Sequence, residues 1–179
     1  MNLQQVLFLN YAAVLGLIVI TTGLNAQDVD FNEQKVGHVY HVSIPDYMTK
    51  SYSLNNAASL QYHNAARETY LIVIEDSKEQ LLEAGIPFQD PMEFYEHFEK
   101  TFTDNSSQIS LRNNLKIDGN PAVQVEISKP FGEYNVHYLV TVIESDTHFY
   151  KMLAWTIEPY KDRYWSDFKR IASSFREGS

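Results

Sequence analysis

The stretch DGNPAVQVEISKPFGEYNVHYLVTVIESDTHFYKMLAWTIEPYKDRYWSDFKRIASSF, from Asp118 to Phe175, decides the fold class. After the Gly119-Asn120-Pro121 turn, Val123, Val125 and Ile127 point one way and Gln124, Glu126 and Ser128 the other. That alternation marks a strand with one wet face. Lys129-Pro130-Phe131-Gly132 interrupts it, because proline donates no ladder hydrogen bond and glycine lets the backbone reverse. Two more β-branched and aromatic runs follow, Tyr134 to Glu144 and His148 to Ile157, joined by the short polar link Ser145-Asp146-Thr147. Connections this short favour antiparallel neighbours. Both side-chain sets of the last run are largely apolar, so it is expected to be central and covered on both faces. Pro159 ends that strand, and Tyr164, Trp165, Phe168, Ile171, Ala172 and Phe175 then recur at helical spacing, with Asp162, Arg163, Asp167, Lys169 and Arg170 on the opposite side. This is an amphipathic helix that packs one stripe on the sheet.

Upstream material completes that sheet. Gly37 to Ile44 reads as a strand with Tyr40, Val42 and Ile44 on the core side, and Pro45-Asp46 ends it. Tyr47 to Asn56 is weakly patterned and reads as a loop. Ala58 to Tyr62 and the continuous apolar run Thr69 to Glu75 are expected to form a hairpin across the turn at Asn64 to Arg67. Asp76 or Ser77 caps a helix over Lys78–Ala84 that Gly85 ends. Asp90 as N-cap, Pro91 in the first turn and Glu93 three positions after the cap begin a second helix, with Phe94, Tyr95, Phe98 and Phe102 as its buried stripe. Gln108 to Ile117 reads as one alternating strand with Ile109, Leu111, Leu115 and Ile117 inward. The order β-β-β-α-α-β-β-β-β-α predicts an α+β fold, a mainly antiparallel sheet flanked by helices.

Composition narrows the function classes. Hydrophobic residues make up 44% of the 179 and aromatic residues 13%, ample for one packed core. The formal net charge is −9, and no Lys/Arg run is present. The long-range field therefore has the wrong sign for nucleic acid, or for an anionic membrane surface met by a basic patch. Without cysteine there is no disulfide, thiolate nucleophile or Cys-ligated metal. Val6 to Ile20 is apolar apart from Asn10, and the polar domain begins shortly after. The length suits a signal-peptide core over residues 1–26, cleaved after Ala26; an uncleaved N-terminal anchor is the alternative. The ending Leu-Asn-Ala-Gln looks like signal-peptide ends common in the Bacteroidetes phylum. Residues 27–35 are expected to be a mobile lead-in and 36–175 a single domain in an exported, periplasmic or secreted protein.

The first strand ending in Pro45, the turn Asp118-Gly119-Asn120-Pro121-Ala122 before a meander, and the closing Phe168-Lys169-Arg170-Ile171-Ala172-Ser173-Ser174-Phe175 carry a resemblance. Over roughly residues 36–175 the chain resembles the PsbP-like superfamily, shared by the Ran-binding Mog-type proteins and the DcrB-type bacterial envelope lipoproteins. The resemblance implies an α/β/α sandwich and a small non-enzymatic binding or accessory protein. It carries over no photosystem role and no Ran contact, and the chain lacks the lipobox cysteine of the DcrB-type lipoproteins.

Candidate chemistry is sparse. No Gly-x-Ser-x-Gly elbow or Gly-rich phosphate loop occurs, and no cofactor is implied. Glu93 and His97 lie four apart on one helix face, half of a metal site without a partner. His41, Glu126 and His137 fall on the polar side of strands, where a carboxylate beside an imidazole would serve acid–base chemistry; scattered exposed strand residues are the plainer alternative. Among twelve tyrosines, Tyr47, Tyr52, Tyr62, Tyr70, Tyr134 and Tyr138 are candidates for the rim of a cleft or partner surface, or are simply sheet residues of high β propensity. The candidate binding surface is thus Tyr47, Tyr52, Tyr62, His41, Glu126 and His137, with a protein or envelope component as the partner. A small-molecule or lipid carrier and a hydrolase using His and carboxylate groups are the alternatives, the first requiring an apolar cavity and the second a convergent pocket. Burying residues the size of Ile171 and Phe175 stabilises by about 1.5–3 kcal/mol each. Truncation before Ile171 is therefore expected to abolish the cooperative melt seen by circular dichroism, and a melt identical to that of the full chain would refute this reading.

Overall fold

The alternating runs pair into one large antiparallel sheet. The computed structural model describes residues 29–178 apart from His38 and Leu111. Its elements are β1 (Phe31–Val36), β2 (Tyr40–Pro45), β3 (Thr49–Lys50), β4 (Leu60–Asn64), β5 (Thr69–Ser77), α1 (Lys78–Glu83) and α2 (Pro91–Phe102). Then come β6 (Gln108–Ile109), β7 (Asn113–Ile117), β8 (Asn120–Phe131), β9 (Tyr134–Glu144), β10 (His148–Ile157), α3 (Lys161–Ser173) and β11 (Arg176–Glu177). An eight-stranded sheet runs β3-β4-β5-β10-β9-β8-β6, with β7 also paired to β8. A three-stranded sheet runs β1-β2-β11.

The meander β8-β9-β10 and the hairpin β4-β5 are antiparallel, and β10 joins them by pairing with both β5 and β9. Strand β10 is central, as its two apolar faces require. One set, Tyr150, Met152 and Ala154, enters a core built with Tyr40, Val42 and Ile44 of β2 and with Phe168 and Ile171 of α3. The other set, Phe149 and Leu153, enters a core under Phe94 and Tyr95 of α2. The layers are therefore α3 with the small sheet, the large sheet, and α1 with α2.

Local chemistry sets the helix starts. Ser77 caps α1, accepting the Gln80 N–H. Asp90 Oδ1 accepts the Glu93 N–H, and the Glu93 carboxylate accepts the Gln89 N–H, satisfying two otherwise orphaned donors. Gly85 follows α1 at φ 75°, the left-handed conformation that ends it.

The structure corrects the sequence reading in four places. Phe31–Val36, expected to belong to a mobile lead-in, is a strand, and Arg176–Glu177 pairs beyond the expected end at Phe175; both lie against β2. These segments are mostly polar, and backbone ladder bonds, which leave no hydrophobic signature, hold them. Gln108 to Ile117 is two short strands sharing β8, and Ile109 is 40% exposed instead of inward. Phe98 and Phe102 are only partly buried, because the end of α2 lies at the edge of its core. Residues 1–26, read from the sequence as a signal peptide, and Leu111 fall outside the described residues.

The small sheet and α3 meet the large sheet at a ring cluster: Phe175 lies 5.5 Å from Tyr40 and 4.8 Å from Tyr150, all fully buried. Phe175→Ala is expected to lower stability by about 3–5 kcal/mol in urea unfolding, whereas Phe131→Ala, at a site 76% exposed, changes it by less than about 0.5 kcal/mol. A loss below about 1 kcal/mol at Phe175 would show that the cluster does not hold the layers together.

Candidate functional site

Pro45 ends β2, and the chain turns through Asp46 and Tyr47 against the middle of α3. Asn64, at the end of β4, fixes this turn from the other side. Its amide donates to the Tyr47 carbonyl at 2.7 Å, while its Oδ1 accepts the Arg67 N–H at 3.0 Å and caps the short 3-10 turn Ala65–Arg67. Glu68, left-handed at φ 49°, then returns the chain into β5. One asparagine thereby places both Tyr47 and Arg67.

On α3, Arg163, Asp167 and Arg170 are spaced to share the wet side, while Tyr164 turns inward and is buried. The Tyr47 hydroxyl donates to Asp167 Oδ2 at 2.8 Å, and the Tyr47 ring lies 5.5 Å from that of Tyr164. Burial first, and the accepting Asp167 carboxylate second, push the Tyr47 phenol well above its ordinary range. Between these elements lies an open groove of about 730 Å³. Its walls carry Asp46, Tyr47 and Arg67 on one side and Arg163, Asp167 and Arg170 on the other, with Asp30 at the end where the described chain begins.

Of the six surface candidates read from the sequence, only Tyr47 lines this groove. Tyr52 is 77% exposed beside Lys50, whose Nζ lies 5.3 Å from the ring centre. Tyr62 is buried, and its hydroxyl donates to Gln34 Oε1 at 2.8 Å, tying the two sheets together. His41 is in the small sheet, its Nδ1 3.3 Å from Glu33 Oε2, a carboxylate that Arg176 also contacts. Glu126 and His137 are diagonal neighbours on the face under α3, since Glu126 pairs with Leu139 and Ser128 with His137.

Each of that last pair has its own partner. His137 Nε2 lies 2.5 Å from Glu158 Oε2, and Glu126 Oε1 accepts the Trp165 indole N–H at 2.9 Å with Lys161 and Lys169 beside it. Burial would raise the Glu126 carboxyl, but the indole hydrogen bond and the two ammonium groups outweigh it and hold the carboxyl below its usual range. His41 is therefore not brought to Glu126 and His137, and the latter two brace α3 on the sheet. Glu93 is occupied by its cap, and His97 packs 5.2 Å from the Phe88 ring. Among the described residues no three His, Cys, Asp or Glu side chains gather to hold a metal ion.

No protein-family model and no curated sequence matches the chain. The solution structure of cyanobacterial PsbP (CyanoP) from Synechocystis sp. PCC 6803 matches with a TM-score of 0.61 at 17% identity, over 86% of this chain and 95% of that one. The chain has the PsbP-like fold. The Saccharomyces cerevisiae Ran-binding protein Mog1p shares it, with a TM-score of 0.57 at 10% identity over 83% of this chain and 95% of that one. LpqN of Mycobacterium tuberculosis, involved in cell envelope biogenesis, matches at 0.51 and 11% identity over 87% and 88%. The PsbP-like resemblance read from the Asp118 turn and the closing helix is thus correct at the level of the fold.

Sequence reasoning missed Arg67, Arg163, Asp167 and Arg170 as groove residues. The signal was present in the arginine-rich wet side of α3, but that side reads as ordinary solvated surface until Tyr47 is set against it. Because the Glu126 carboxyl is depressed in the folded state, its stabilisation is present above the unfolded carboxyl range and is lost as pH falls through the folded value. Glu126→Gln is expected to cost about 1 kcal/mol in urea unfolding at neutral pH, with the gap from the parent closing below about pH 4. A gap that persists unchanged in acid would place the effect elsewhere.

Proposed function

We propose that the protein is a non-enzymatic, exported accessory protein of the bacterial cell envelope that binds a protein or envelope component through the Tyr47 groove. The observation that carries this reading is the groove itself: an open depression of about 730 Å³ with charged and tyrosine side chains set around it on well-fixed elements. The apolar N-terminal run, whose length suits a signal peptide, supports export. No helix among the described residues is long and apolar enough to cross a membrane. The fold shared with a Ran-binding protein and with a protein of cell envelope biogenesis supports a binding role in preference to a catalytic one.

Two alternatives fare less well. A lipid carrier needs an apolar cavity between sheet and helices, and those spaces are filled by side chains such as Phe94, Phe149, Tyr150 and Phe168. A hydrolase needs His and carboxylate converging on a pocket, and neither His41 nor His137 lines the groove.

A photocrosslinking amino acid placed at Ser166, on the groove wall, is expected to capture a discrete partner in the cells that make the protein, whereas the same group at Leu82, which is 65% exposed on α1, captures none. Equal labelling at both positions, or none at Ser166, would overturn the proposal.

A further inference from the structure

Of the five arginines, Arg112 pairs with Glu99 and Arg176 with Glu33. The other three line the groove. The guanidinium of Arg67 lies 4.5 Å from the Tyr47 ring centre, that of Arg163 5.3 Å from Tyr164, and that of Arg170 4.0 Å from Phe31. Among the described residues none of the three is within ion-pair distance of a carboxylate. Asp30 and Asp46 line the same groove, and neither carboxylate has an ion pair or hydrogen bond among the described residues; Asp167 takes the Tyr47 hydroxyl.

A guanidinium resting on a ring uses its π face and keeps its N–H groups in the plane, forked for the two oxygens of a carboxylate. Three such forks and two free carboxylates within one groove ask for an occupant of both signs. A polyanion would meet Asp30, Asp46 and Asp167 as well as the −9 net charge of the chain, and a polycation would meet three guanidiniums. The groove volume suits a segment of a few residues. Resting on the reading of this groove as the binding site, we infer that its ligand is a mixed-charge peptide segment, with Arg67, Arg163 and Arg170 receiving its carboxylates and Asp30 and Asp46 its ammonium groups.

Calorimetric titration of the protein with three end-blocked hexapeptides, one alternating Lys and Glu, one all Glu and one all Lys, tests this. The alternating peptide is expected to bind at least about tenfold more tightly than either homopolymer, the difference made by one charged hydrogen bond. Arg163→Gln with Arg170→Gln is expected to remove that preference, and Asp46→Asn to weaken binding of the alternating peptide, each with the thermal melt unchanged. All three positions are exposed, so folding is preserved. Equal or tighter binding of the all-Glu peptide, or no binding of the alternating one, overturns the inference. If crosslinking from Ser166 still captures a partner in that case, the groove remains the binding site and only the ligand chemistry is wrong. Loss of the crosslink overturns the site itself.

Discussion

The rings of Tyr40, Tyr150 and Phe175 are the contact on which the layered arrangement depends. They come from the small sheet, the central strand and the end of the chain, and each is fully buried. Tyr40 meets Tyr150 edge-on at 5.4 Å and stacks with Phe175 at 5.5 Å, arrangements worth about 0.5–1.5 kcal/mol per pair beyond the area buried. Their hydroxyls are not stranded: Tyr40 exchanges a hydrogen bond with Ser59 at 2.8 Å, and Tyr150 donates to Glu177 at 3.2 Å. With the chain end anchored there, Arg176–Glu177 pairs with β2 and closes the small sheet.

Helix α3 follows from the same anchoring. Its apolar stripe, Tyr164, Phe168, Ile171 and Ala172, is buried against the sheet. At its first turns, Trp165 and Lys161 reach down to Glu126, a polar brace at the rim of an apolar contact. The wet side is left facing the β2 turn, and there it makes the groove. Packing on one side of a helix has thus decided what the other side can reach, and the Asn64 bonds to Tyr47 and Arg67 hold the opposite wall.

The opposite face shows where other tyrosines are used. Tyr70, Trp155 and Tyr138 are cross-strand neighbours on β5, β10 and β9, with Tyr70 and Trp155 stacked at 5.3 Å and Phe102 of α2 set against Tyr138 at 5.0 Å. These are the cross-strand pairs by which sheets are stabilised. Of the two readings open for the tyrosines, sheet packing holds for Tyr70 and Tyr138, and a cleft wall for Tyr47.

The sequence by itself determined what depends on near neighbours. The alternation of β8, β9 and β10, the Asp90–Pro91–Glu93 helix start and the stripe of α3 are local patterns, and the spans Tyr134–Glu144 and His148–Ile157 were legible to the residue. Strands β1 and β11 were not, because mostly polar segments held by backbone ladders leave no periodic hydrophobic trace. The groove was legible only as one tyrosine. Its parts lie far apart in the chain: Tyr47 bonds to Asp167 across 120 residues. Only the tertiary structure decided that Arg67, Arg163 and Arg170 line one groove with it, and that His41 goes to the small sheet away from Glu126 and His137. Register and layer packing set those distances, and neither is encoded in any window of sequence short enough to be read on its own.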